Sequence, residues 1–191
     1  FSEWNIKSEE IDFILLCTQS PDYFLPTTAC IIQDKLNIPI NSGALDYNLG
    51  CSGYIYGLAL AKGLVVAGTA KNVLLLTSET YTKHIHPQDK NNRSIFGDAA
   101  AATLVSDSGF AEIGNFAFGT DGKGAKNLIV ENGAMKQRSK TCKELINKEF
   151  GADYLYMKGT EIFTFTLERV PILINETLIN NNLIKDNISL Y

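Results

Sequence analysis

Ala44-Leu45-Asp46-Tyr47-Asn48-Leu49-Gly50-Cys51-Ser52-Gly53-Tyr54 joins a strand signal to a helix signal through a single cysteine. Ala44 to Tyr47 reads as a short strand. From Ser52 to about Ala67 the small and apolar residues read as a helix, which Gly68 stops. A cysteine therefore stands at a strand-to-helix turn. A thiol attacks as the thiolate. Unpaired N–H groups and the helix dipole at a first turn stabilise that anion. Gly50 and Gly53 leave no side chains on either side of the sulfur, so a reactant can approach and the turn can be tight. The backbone N–H of Cys51 can point at a developing oxyanion. A buried structural cysteine at an apolar helix start is the competing reading, and the turn alone leaves both open.

Outward from this turn, strand and helix signals alternate. Residues 11–18 form an apolar run of buried-strand type. Residues 19–26 are a loop holding Pro21 and Pro26. Thr27 or Thr28 can cap a helix reaching about Asn37, with Pro39 beyond it. Residues 72–78 and 99–106 read as further strands, and 110–118 as another after Gly109. Residues 81–96 are polar and irregular, and 120–126 form a loop. Residues 128–131 and 154–158 are short strand-like pieces; 132–151 show no clear period. Residues 159–181 read as a long helix with apolar positions at 162, 163, 167, 170, 174 and 178, and Pro171 inside it predicts either a kink or a different helix start. Residues 188–191 begin a new strand. This alternation defines an α/β chain with a largely parallel sheet.

The chain has 191 residues, 45% hydrophobic and 20% charged, with a net charge of -4. That balance gives no basic footprint for nucleic acid. No apolar run approaches the roughly 18 residues of a membrane span. The start, Phe1-Ser2-Glu3-Trp4, has neither the basic end nor the apolar core of a signal peptide, and no initiator Met. The cysteines at 17, 30, 51 and 142 show no metal-type spacing. Cys17 and Cys30 adjoin apolar runs and read as buried thiols; Cys142 reads as a surface residue. A reducing, cytoplasmic compartment fits.

Other chemistry-bearing residues read more plainly. His84 and His86 could share a strand face as a metal pair, but no carboxylate or cysteine cluster supports this, and they read as loop histidines. Asp98 reads as a buried turn-former rather than a general base. Arg93 reads as a solvated loop residue. The run Thr120 to Lys126 lacks P-loop spacing and reads as a basic surface loop.

Asn48-Leu49-Gly50-Cys51-Ser52-Gly53-Tyr54 resembles the nucleophile turn of β-ketoacyl-ACP synthase III, a thiolase-superfamily condensing enzyme. Ser20-Pro21-Asp22-Tyr23-Phe24-Leu25-Pro26 is similar to its loop after an early strand. Phe96-Gly97-Asp98-Ala99-Ala100-Ala101 is similar to its Phe-Gly-Asp-Gly-Ala-Gly turn, with alanines where the family has glycines. Met157-Lys158-Gly159-Thr160-Glu161-Ile162-Phe163 resembles its Met-x-Gly-x-Glu-x-Phe helix start. These motifs follow the family's order.

The resemblance implies a thiolase-like α/β fold, present incompletely. Residues 1–131 would be the half carrying the nucleophile, 132–151 a connection and 152–191 the start of the second half. It implies that Cys51 takes an acyl group from acyl-CoA or acyl-ACP and condenses it with malonyl-ACP in fatty-acid or related biosynthesis. Phe96, Gly159 and Phe163 would contact substrate, and Leu25 would reach the partner's pocket in a homodimer. No cofactor is implied beyond the coenzyme A thioester as substrate; acyl carrier protein is the implied macromolecular partner. The family's His, in a His-Gln-Ala-Asn motif, and its Asn belong after the strand expected at 188, so the chain reads as part of a longer protein. The alternatives are an acyltransferase to an alcohol or amine and a non-catalytic partner subunit.

Overall fold

The computed structural model describes residues 6–136 and 145–190. The described chain divides into two compact units that interleave in sequence: Phe1–Tyr81 with Gly97–Ile113, and Thr82–Phe96 with Gly114–Tyr191.

The first unit is organised by β1 (Phe13–Cys17), whose Ile14, Leu15 and Leu16 are all buried. A strand buried on both faces needs a layer on each side. Alternation supplies two cores. Ile14, Leu16 and Leu74 pack with Ala29 of α1 (Thr28–Lys35). Leu15, Val73 and Leu75 pack with Ala61 of α2 (Gly53–Val66). The sheet order is β2-β1-β3-β4, with β2 at Gly43–Tyr47, β3 at Asn72–Thr80 and β4 at Asp98–Ser106. β1 runs parallel to β2 and β3, while β4 is antiparallel to β3. The largely parallel sheet expected from the sequence is observed, with one antiparallel edge.

Two side-chain expectations change here. α1 begins where expected, but Thr27 makes no side-chain cap bond. Asp46, at the end of β2, does the capping: its carboxylate accepts from the backbone N–H of Thr28 (2.6 Å) and of Ala29 (2.7 Å). An anion there also suits the helix dipole. Cys30 is exposed rather than buried, because α1 turns Ala29 into the core and Cys30 away from it. Cys17 is buried as expected. Cys142 lies outside the described residues.

α2 stops at Gly68, whose φ of +70 favours glycine. The helix lies against the sheet through Gly53, Gly57 and Ala61, all buried and spaced four residues apart. A β-carbon on Gly57 would strike the Tyr47 hydroxyl and come within 2.5 Å of Leu75 Cδ1. Small residues are therefore what lets α2 pack this closely on β3 and against the Tyr47 hydroxyl.

In the second unit α3 (Lys90–Arg93) is a single turn, and β5 (Leu128–Ile129) pairs antiparallel with β6 (Tyr156–Met157), followed by α4 (Gly159–Asn180). Pro171 lies inside α4 without ending it. Most of α4's apolar residues are exposed; Leu178 is buried. The strand expected over 110–118 does not form. The backbone of 115 and 116 is instead held by side-chain amides. The side-chain oxygen of Asn181 accepts from Asn115 N (2.6 Å), and its amide donates to Asn115 O (2.9 Å). Asn180 donates to Phe116 O (3.0 Å). Residues 188–190 also form no strand and follow a 3-10 turn at Lys185–Asn187. Among the described residues no helix is long and apolar enough to cross a membrane.

Candidate active site

Cys51 is exposed in the turn between β2 and α2. The turn closes with the N–H of Gly53 bonded to Gly50 O at 2.8 Å. No side chain caps α2 at Ser52. The turn is instead gripped from below by β1 and β2. The Cys17 thiol donates to Leu49 O (3.1 Å), and the Tyr47 hydroxyl donates to Gly53 O (2.8 Å). A β-carbon on Gly53 would collide with the Cys17 sulfur and stand 3.2 Å from Leu49 Cβ. Gly53 is thus required by this packing, beyond any clearance it gives a reactant. From the side, the Gln19 amide donates to Asn48 Oδ1 (3.1 Å).

Burial pushes the Cys17 thiol above its ordinary value near 9, and the Glu79 charge adds to this. Burial, then Cys17, raises Tyr47 as well. Burial raises the Tyr81 phenol first, and the charges of Glu79 and Cys51 add to it. Tyr81 thus lies within electrostatic reach of Cys51.

A raised acid keeps its proton in the folded state at pH values where the unfolded chain has lost it. Cys17 and Tyr47 therefore contribute stability fully below about pH 9 and progressively less as pH rises through their folded values. Urea midpoints should fall between pH 8 and pH 10.5, and fall less in Cys17→Ala. At pH 8 iodoacetamide should modify Cys51 and Cys30 in the native protein and spare Cys17, as peptide mass spectrometry would read.

The remaining expected site residues are placed as follows. Leu25 is 85% exposed in the loop before α1 and precedes Pro26 through a cis peptide. Phe96 is half-buried in the second unit, its N–H bonded to Asn92 O (3.0 Å). Gly159 is the first residue of α4 and has open space where a β-carbon would be. Phe163, four residues on, is 63% exposed, so it is not helix core. Asp98 opens β4 and is exposed, not buried. His86 stacks on Phe150 (4.7 Å) and meets Tyr154 edge-on (4.8 Å), an aromatic packing role. Among the described residues no group of three or more His, Cys, Asp or Glu could hold a metal ion. The residues the sequence reading missed are Cys17, Tyr47, Gln19 and Glu79.

A family model described as 3-oxoacyl-[acyl-carrier-protein] synthase III matches residues 45–122, a span containing Cys51 and Phe96. The β-ketoacyl-[acyl-carrier-protein] synthase III of Caldanaerobacter subterraneus subsp. tengcongensis is 38% identical over 166 residues, covering 86% of this chain and 48% of its own length. That of Clostridium tetani is 36% identical, covering 93% and 54%. A crystal structure of a 3-oxoacyl-(acyl-carrier-protein) synthase III superposes with a TM-score of 0.89 at 45% identity, covering 98% of this chain and 58% of that one. The chain spans about half the length of the curated relatives it matches. Sheet, helices and cysteine turn define a chain of thiolase-like fold. Within that class, the proteins it is similar to are β-ketoacyl-ACP synthases III, matched over 86% to 98% of this chain.

Proposed function

We propose that the protein containing this chain is a 3-oxoacyl-ACP synthase III-type condensing enzyme and that Cys51 carries its acyl group. The observation that carries this reading is the exposed Cys51 in a glycine-flanked turn opening α2, inside the span the family model matches. The thiolate attacks the carbonyl carbon of an acyl-CoA; a C–S bond forms and the coenzyme A thiolate leaves. Malonyl-ACP then loses CO2, and the resulting carbanion attacks the Cys51 thioester. A C–C bond forms, the C–S bond breaks, and β-ketoacyl-ACP departs with Cys51 restored. Covalent capture divides one difficult bond formation into two easier steps, and the N-terminal field of α2 favours the sulfur anion at the start and end.

On this reading acyl-CoA is a substrate rather than a resident cofactor, and acyl carrier protein is the docking partner. Phe96, Gly159 and Phe163 contact the substrate, and Leu25 serves a homodimer partner's pocket. The pathway is fatty-acid or related biosynthesis in the cytoplasm. Mass analysis of products from the natural protein given acyl-CoA and malonyl-ACP tests it. A β-ketoacyl-ACP two carbons longer than the acyl donor is expected. Acyl transfer to alcohols or amines alone, or no product, would replace this reading with one of the two alternatives.

A further inference from the structure

We propose that Glu79 is a positioning residue for Cys51, anchoring the loop after β1 against the turn that holds the sulfur. This rests on the reading of Cys51 as the acyl-carrying nucleophile. Glu79 lies near the end of β3 and is half-buried. One of its oxygens accepts from the backbone N–H of Gln19 (2.8 Å), the other from the Ser20 hydroxyl (2.9 Å). Ser20 Oγ in turn accepts from Thr80 N (2.9 Å), which locks the loop to the end of β3. A carboxylate can hold two donors at once in a fixed fork, and such charge-assisted bonds are the stronger kind.

The anchored Gln19 carries the constraint onward. Its amide nitrogen donates to Asn48 Oδ1 (3.1 Å), and its amide oxygen accepts from the Tyr81 hydroxyl (3.3 Å). The same oxygen stands 2.9 Å from where a β-carbon of Gly50 would be, directly before Cys51 in the chain. Carboxylate, loop, carboxamide and turn thus form one connected path from Glu79 to the residues flanking the sulfur. A bare negative charge near a sulfur anion opposes it. Anchoring favours the reaction. The two effects of Glu79 have opposite signs, so removing the side chain separates them.

The test uses the natural protein with Glu79→Ala and Glu79→Gln, following acylation by acetyl-CoA, iodoacetamide alkylation mapped to Cys51, and the melting temperature. Glu79→Ala should slow both reactions about tenfold while KM for acetyl-CoA stays unchanged, the scale expected when a reacting group is misplaced by a fraction of an ångström. Glu79→Gln keeps an acceptor for Gln19 and should recover to within about threefold of the native rate. An alanine variant reacting at the native rate or faster would overturn the proposal, as would a glutamine variant no better than alanine with the same drop in melting temperature. If the native protein takes no acyl group, the acyl-carrier reading fails, and the alkylation rates alone decide the positioning role. Slower alkylation in Glu79→Ala then supports that role, and unchanged alkylation overturns it.

Discussion

Cys51→Ala is expected to lower β-ketoacyl-ACP formation by at least about a thousandfold, because no covalent intermediate can then form. The side chains around the turn offer no substitute. Gln19 and Asn48 are amides engaged with each other, and Tyr81 is a phenol held neutral by burial and by neighbouring charge. Glu79 is occupied by two donors. Cys51→Ser should be nearly as poor, since a hydroxyl gives far less anion than a thiol in the same helix field. Steady-state turnover of the natural protein and both variants checks this. Retention of a tenth or more of the native rate in the alanine variant would remove Cys51 from the chemistry.

Gly57→Val is expected to lower folding stability by about 3 kcal/mol, at the upper end for overpacked cores. Gly57 faces the Tyr47 hydroxyl, reaching over from β2, and the Leu75 side chain of β3. Its first added carbon would strike the Tyr47 hydroxyl and press on Leu75, whose Cδ2 also lies 3.1 Å away. Leu75 is fully buried, so it has nowhere to retreat. The displaced helix would carry Gly53 and the Cys51 turn with it, so reactivity at Cys51 should fall too. Gly63 is the control on the same helix. A β-carbon there meets nothing within 4 Å, so Gly63→Ala should be neutral or stabilise by about 0.5–1 kcal/mol. Denaturant unfolding of both variants distinguishes a packing requirement at Gly57 from a general intolerance of side chains on α2.

Much of this could be read locally. The apolar run around Leu15, the helix stop at Gly68 and the strand–cysteine–helix turn are encoded within a few residues of where they act. What holds the turn is not. Asp46 caps a helix 18 residues upstream, and Cys17 reaches Leu49 across 32 residues. No local pattern reports such a partner. One signal was available: Gly53, Gly57 and Ala61 recur every four residues, the mark of a helix face pressed onto a neighbour. Cys30 misled because apolar neighbours in sequence do not share its face of a helix. Residues 110–118 misled because strand-like composition does not supply a pairing partner, and the amides of Asn180 and Asn181 took up that backbone instead.

The proposed chemistry turns on the acylation of Cys51. The direct measurement is to incubate the natural protein with a radiolabelled acyl-CoA, denature, digest and locate the label. Label is expected on the peptide containing Cys51, with none on Cys17 or Cys30 and none in Cys51→Ala. An unlabelled native protein, or full labelling of the Cys51→Ala variant, would contradict it.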